Sequence, residues 1–287
     1  MRLGLSISRF EPPGYPGVRA FDEIVLTLRE SLCRLGHDVV EKVNGLHSDR
    51  INVLFGGHLL GERHLHQLPS RTIVYNTEQL GSGSPVIRPH YAKLLANRPV
   101  WDFSAKNLQW LRESIPNARG ILLPVGYVPP LRRIACNPFP DIDVLFYGDV
   151  NARRERILRG LLGAGVSLTH AFNCFGAERD ALIARAKLVL NIHAYPTQIF
   201  EVVRVSYLLA NGVAVVSELD ERTSIECDLR EAIAGAPASR LAATIGELLA
   251  DADARAALAA RGQRIFEARD AVAYTRAALA DTVAGWS

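Results

Sequence analysis

The sequence predicts an α/β protein in two sequential halves, and three observations carry that expectation. Short apolar runs alternate with stretches of helical period, the pattern of βαβ units on a parallel sheet. Pro138 and Pro140 interrupt any regular element across Cys136–Asp141, and the alternation restarts after them. The 287 residues suffice for two domains, each of roughly 140 residues and able to bury its own core without disulfide or metal staples.

In the first half, Leu3–Ser8 reads as a buried strand, followed by a loop over 9–17 rich in proline and glycine. A helix then runs from Asp22, a suitable N-cap, through Ile24, Leu28, Leu32 and Leu35 to Gly36 as its stop. A second strand follows in His37–Val43. Further strands are expected at Ile51–Phe55, Thr72–Tyr75, Val100–Phe103 and Ile121–Leu123, with helical stretches at Tyr91–Ala96 and Lys106–Ser114.

In the second half, Asp143–Gly148 is a strand closed by glycine, and Asn151–Leu158 opens a helix. Ser167–Phe172, Leu188–His193 and Ala214–Ser217 follow as strands. Helices fit Glu178–Ala186, Phe200–Ala210 and Ser239–Leu249, and the Ala-rich end reads as helical from Asp253 to about Thr282. Ligands of open α/β sheets bind beyond the carboxyl ends of the strands, so two such halves direct attention to a cleft lined by those ends.

Charge narrows the function classes. Lys and Arg number 33 against 30 Asp and Glu, a net charge of +3. That balance argues against a dedicated nucleic-acid binder, which concentrates basic charge. It allows weak attraction to phosphates, or peripheral association with an anionic membrane. The four cysteines, Cys33, Cys136, Cys174 and Cys227, lack metal-like spacing and suit a reducing cytoplasm. No signal peptide is evident, and no apolar run reaches the ~20 residues needed to span a bilayer. His58, His64 and His66 lie close together beside Glu62, but no second ligand cluster supports a metal site, and an exposed polar loop is the simpler account.

The most informative stretch is Lys187–Glu218. A strand ends at His193, a loop follows, a helix begins near Phe200, and Gly212 closes it before another strand. Glu201 and Arg204, three apart, share one face of the first turn. An anionic or polyhydroxyl ligand there would meet a helix N-terminus, a carboxylate and a guanidinium together. The plainer alternative is a surface ion pair worth a few tenths of a kcal/mol.

Phe200-Glu201, Ala210-Asn211-Gly212 and Ala214-Val215-Val216 resemble the donor half of GT-B glycosyltransferases, in which the helix glutamate contacts the ribose or sugar of a nucleotide sugar. One departure is plain. The family's retaining pattern places a second glutamate where this chain has Leu209, so retention does not follow. Val144–Leu158, with Gly148, Arg153 and Arg154, resembles the opening of the donor domain. Ile73–Gln79 and Val100–Asn107 are similar to polar clusters that follow successive strands in such enzymes.

The resemblance implies two Rossmann-like domains facing a cleft: 1–137 on the acceptor side, 138–269 as nucleotide-sugar donor domain. A terminal helix at 270–287 would pack back on the first domain, anchored by Trp286. It implies a metal-independent, hexosyltransferase-like enzyme without a cofactor, acting in bacterial surface polysaccharide or glycoconjugate synthesis. The acceptor would be a glycan, a lipid-linked group or a protein. Gly148, Asn151, Arg153, Arg154, His193, Phe200, Glu201 and Arg204 would hold the donor. Arg153 or Arg154 would neutralise the diphosphate, and Gly148 would let backbone approach it. If the reaction inverts, Glu78, Glu11 or Asp102 would be the base. Against that, Asp102 and Ser104 serve equally as caps for the helix from Lys106, and Asn76 as a turn former. Two other functions fit the same resemblance: a non-catalytic nucleotide- or glycan-binding module, and a sugar-nucleotide epimerase or hydrolase.

Overall fold

The computed structural model describes residues 2–81, 84 and 86–286. The chain forms two compact units, one of Met1–Val128 with Asp270–Ser287, the other of Pro129–Arg269.

The first unit holds a six-stranded, wholly parallel sheet. Its elements are β1 (Gly4–Arg9), α1 (Asp22–Arg34), β2 (Asp38–Val43), β3 (Ile51–Phe55), α2 (Glu62–Leu65), β4 (Thr72–Asn76), α3 (Pro89–Asn97), β5 (Pro99–Asp102), α4 (Ala105–Ser114) and β6 (Arg119–Leu122). The sheet order is β2-β1-β3-β4-β5-β6, so strand succession reverses between β1 and β3. β3 and β4 are buried along their whole length, which explains their unbroken apolar runs. Leu54, Val74 and Val100 pack against Tyr91, Leu94 and Leu95 of α3 and Leu108 and Leu111 of α4.

The C-terminal helix Ala271–Ala284 belongs to this unit and packs on α1. Trp101 Nε1 donates to Thr282 Oγ1 at 2.8 Å, and Arg119 Nη1 to the Gly285 carbonyl at 2.7 Å. Trp286 lies with its ring centre 5.9 Å from the Arg71 guanidinium. Ser287, the last residue of the expected terminal helix, lies outside the described residues.

The second unit holds a five-stranded parallel sheet in the order β11-β10-β9-β7-β8. Its elements are β7 (Ile142–Tyr147), α5 (Ala152–Gly163), β8 (Leu168–Ala171), α6 (Gly176–Arg185), β9 (Ala186–Asn191), α7 (Val202–Ala210), β10 (Val215–Glu218), α8 (Cys227–Glu231), β11 (Ala234–Ala236), α9 (Leu241–Ala250) and α10 (Ala252–Glu267). Val144, Phe146, Leu190, Ile192 and Val216 meet Leu158, Leu241, Ile245 and Leu258 in its core. Here the strand succession reverses between β7 and β9, the kind of place where open α/β sheets take ligands.

Four expectations need correction. The units divide at Val128/Pro129, not at 137/138. The reason is Asn211 at the end of α7: its Oδ1 accepts from the Arg133 and Ile134 amides at 2.9 and 2.8 Å, and its Nδ2 donates to the Leu131 carbonyl at 3.0 Å. Those bonds bind the chain to the second unit before Pro138 is reached. Asp22 is not a cap, because a 3-10 turn, Pro16–Phe21, runs directly into α1. Its carboxylate instead accepts from Arg9 Nη1 at 2.7 Å. The Ala-rich end is two helices, broken at Ala268–Asp270. There Arg269 is buried against Glu226 and Asp228, and Asp270 caps the next helix by accepting from the Val272 and Ala273 amides. His58, finally, is not in an exposed loop: its side chain is 9% exposed.

Candidate functional site

In the second unit, the loops after β7, β9 and β10 converge at the carboxyl edge of the sheet. The turn after β7 requires glycine. Gly148 has φ +123, and a Cβ there would stand 2.6 Å from Arg204 Nη2. Asn151 caps α5 by accepting from the Arg154 amide at 3.0 Å, and its Nδ2 donates to the Ala194 carbonyl at 2.6 Å. The loops after β7 and β9 are thereby stitched together.

His193 lies two residues beyond β9 and is fully buried. Its Nδ1 is 3.0 Å from Glu201 Oε2 and its Nε2 3.2 Å from Thr223 Oγ1. Glu201 stands at the N-cap position of α7, which begins two residues later than expected, at Val202. Its carboxylate accepts from Asn191 Nδ2 at 3.0 Å and from the Ala194 amide at 3.2 Å. Burial acts to raise the pKa of Glu201, but the His193 and Asn191 bonds and the nearby Arg154 outweigh it, and the net shift is downward. Glu201 is therefore an ionised carboxylate that orders the loop. Phe200 is buried beside it, its amide bonded to the Ser224 carbonyl at 3.0 Å.

The three arginines differ sharply. Arg153 forms a bidentate pair with Glu218 and also donates to the His193 carbonyl at 2.8 Å. Arg154 is buried and donates to the carbonyls of Ile192 at 2.8 and 3.0 Å and Asp149 at 2.9 Å. Burial lowers its pKa to about 10, so it keeps its charge. Both guanidiniums are thus engaged by partners within the protein. Arg204 is half-buried, lies 5.8 and 5.3 Å from the Phe146 and Tyr147 ring centres, and makes one long contact, 3.4 Å to Asn191 Oδ1. Among the described residues it has no carboxylate partner. Glu218, Thr223 and Asn191 escaped the sequence reading; Asn191 and Glu218 close β9 and β10, and those polar ends of apolar strands were the one signal available.

In the first unit, Glu78 lies two residues beyond β4. Its carbonyl accepts from Asn76 Nδ2 at 2.9 Å and Asn107 Nδ2 at 2.8 Å, and its amide donates to Asn76 Oδ1 at 3.2 Å. Both asparagines bond to the fully buried Asp102, Asn76 at 2.6 Å and Asn107 at 3.1 Å to each oxygen. The Ser104 amide adds a bond at 2.7 Å, and Ser104 caps α4. Fully buried and held by these three donor groups, Asp102 anchors the Glu78 loop and is not placed to take a substrate proton. Burial raises its pKa to about 7. Burial likewise pushes Glu78 up to about 7, and its side chain remains 20% exposed. Glu11 stands apart from this network: its backbone pairs with the Asn44 side chain, and its carboxylate lies 3.6 Å from Arg9. Among the described residues no group of three or more His, Cys, Asp or Glu side chains is arranged to hold a metal ion.

No family model matches the chain, and no curated protein matches it by sequence. Solved structures do. Anabaena HepE in complex with UDP and glucose superposes with a TM-score of 0.64 at 14% identity, covering 98% of this chain and 99% of that one. Sucrose-phosphate synthase from Thermosynechococcus elongatus gives 0.59 at 14% identity over 99% of this chain and 100% of that one. WaaG, a glycosyltransferase involved in lipopolysaccharide biosynthesis, gives 0.57 at 13% identity over 97% and 99%. The likeness is one of fold: the chain has the architecture of GT-B glycosyltransferases, two α/β domains on parallel sheets of six and five strands.

Proposed function

We propose that the protein transfers a sugar from a nucleotide-diphosphate sugar to a hydroxyl acceptor. The observation that carries this is Arg204, a half-buried guanidinium with no carboxylate partner among the described residues, set against the left-handed turn at Gly148 where the β7/β9 succession reverses. A diphosphate brings the anion that this position lacks. Arg154, bonded to backbone carbonyls and 3.9 Å from Glu201 Oε1, adds to the positive field there. Similarity of fold to HepE, which is solved with UDP and glucose, supports a nucleotide sugar as donor.

As the glycosidic bond to the diphosphate breaks, negative charge gathers on the leaving oxygen. A preorganised guanidinium in a partly buried site stabilises that charge more than water does. In a single displacement the acceptor hydroxyl must lose a proton, and Glu78, with a pKa near neutrality and a side chain 20% exposed, suits that task. With arginine supplying the countercharge, the transfer needs no metal. On the same reading the transfer belongs to cytoplasmic glycan assembly, with a glycan, lipid-linked or protein acceptor; WaaG, which shares the fold, is a glycosyltransferase involved in lipopolysaccharide biosynthesis.

The test is calorimetric titration of the full chain with UDP and other nucleoside diphosphates, followed by nucleotide release from UDP-glucose in EDTA, with and without an acceptor panel. Binding that weakens at least tenfold in Arg204→Gln, and release that rises with an acceptor, support the proposal. Failure of every nucleoside diphosphate to bind overturns it.

A further inference from the structure

His58 occupies a short 3-10 turn, Gly57–Leu59, immediately after β3, next to β4 in the sheet. Its ring is fixed by edge-on contacts with Phe21 and Tyr91, at centroid distances of 6.5 and 6.0 Å. Its Nε2 lies 3.5 Å from Glu78 Oε1. The Glu78 backbone is pinned by Asn76 and Asn107, so its side-chain torsions are the freedom left to its carboxyl.

We propose that His58 is the positioning residue of Glu78: its Nε2–H donates to the Glu78 carboxylate, aims it, and holds it ready to take a proton from a hydroxyl. This rests on the assignment of Glu78 as base. In the step concerned, the acceptor O–H bond breaks and its proton joins Glu78. The acceptor oxygen bonds to the anomeric carbon, and the sugar–phosphate bond breaks with its electron pair leaving on the diphosphate. His58 gains and loses no proton throughout. Burial and the nearby Arg88 hold its pKa down to about 4, so the ring is neutral over the pH range in which Glu78 titrates. The other ionisable groups around the pair are Tyr91 of α3 and Asp102 of β5. Tyr91 Oη donates to Asn76 Oδ1 at 2.7 Å, and burial raises its pKa well above the usual phenol value, so it stays neutral. Asp102 is committed to Asn76, Asn107 and Ser104.

A neutral donor at this distance stabilises the ionised carboxyl, so its loss has a signed effect. The experiment is a pH titration of the Glu78 carboxyl in the full chain, followed by 13C NMR on glutamate-labelled protein and assigned with Glu78→Gln. His58→Leu is expected to raise the midpoint by about one pH unit, and His58→Gln, which keeps a donor, to restore most of the shift. In the wild type, the His58 Nε2 15N shift should report a bound proton once Glu78 is ionised. An unchanged midpoint in His58→Leu, or an unprotonated Nε2 beside ionised Glu78, overturns the inference. Nucleotide binding and acceptor-dependent release from UDP-glucose in Glu78→Gln test the function separately: if release persists at the wild-type rate while the titration shifts, the base assignment falls and the His58–Glu78 contact stands.

Discussion

Arg204 Nη2 occupies the space that a side chain at residue 148 would need, standing 2.6 Å from the Cβ position. The two residues are 56 positions apart in sequence, yet each presupposes the other. A side chain at 148 displaces the guanidinium, which among the described residues has no carboxylate partner. Gly148→Ala therefore tests position and function together. The left-handed φ of +123 costs about 1–3 kcal/mol with any L side chain. The flexible arginine gives way at little further cost, but away from the position proposed for the diphosphate. A lowered thermal midpoint is expected, with UDP affinity down more than tenfold by calorimetry. An unchanged affinity would mean that Arg204 does not meet the nucleotide.

The arginines separate binding from folding. Arg154→Leu strips the Ile192 and Asp149 carbonyls of their partner and leaves Glu201 one cation fewer. Leaving the buried Ile192 acceptor unpaired costs about 1–3 kcal/mol, so a clear loss of stability in urea is expected. Arg204→Gln breaks the 3.4 Å contact to Asn191 and the approach to the Phe146 and Tyr147 rings, worth about 0.5–1 kcal/mol, so it should lower the urea midpoint less than Arg154→Leu while UDP binding weakens. A variant set in which both arginines act alike would contradict the distinction.

Glu78 and Asp102 together make stability depend on pH. Each has a folded-state pKa of about 7, raised by burial above ordinary values of 4.5 and 3.8. Between those values the folded state binds the proton that the unfolded chain releases. The stabilisation is thus complete below about pH 4 and is lost as pH rises toward 7. One proton corresponds to a slope of at most about 1.4 kcal/mol per pH unit. Glu78→Gln removes one of the two, so in urea titrations from pH 5 to 8 the variant should gain on the wild type up to pH 7 and run parallel above it. A constant difference across that range would show that Glu78 does not titrate there.

Much of this was legible in the sequence because strands and loop ends obey local rules. Ile51–Phe55 reads as a strand from five consecutive residues that are all buried, and Asn151 and Ser104 stand where caps belong. What local pattern cannot supply is the partner. Arg153 and Arg154 look alike in sequence, but only the fold brings Glu218 to the first and the Ile192 carbonyl to the second. Asp102 looks like a base until Asn76 and Asn107 are seen to surround it. His58 looks exposed because its shielding comes from Phe21 and Tyr91, 37 and 33 residues away in opposite directions. The break at Arg269 is hidden by the high helix propensity of its alanine-rich surroundings, which says nothing of an arginine drawn inward by Glu226 and Asp228.

A buried polar pair ties the C-terminal helix to the sheet of the first unit. Trp101 Nε1 donates to Thr282 Oγ1, which in turn donates to the Ala278 carbonyl at 2.7 Å. Trp101 is fully buried, so removing its acceptor leaves an indole N–H with no route to water. Thr282→Val keeps the shape and deletes the hydroxyl, and should cost about 1–3 kcal/mol. Thr282→Ser keeps the acceptor and loses a methyl, and should cost about 1 kcal/mol. Urea denaturation followed by tryptophan emission reads both. The ordering follows from hydrogen bonding alone: packing would favour valine over serine, so a more stable valine variant would show that the helix is held by apolar contact and that the Trp101–Thr282 bond contributes little.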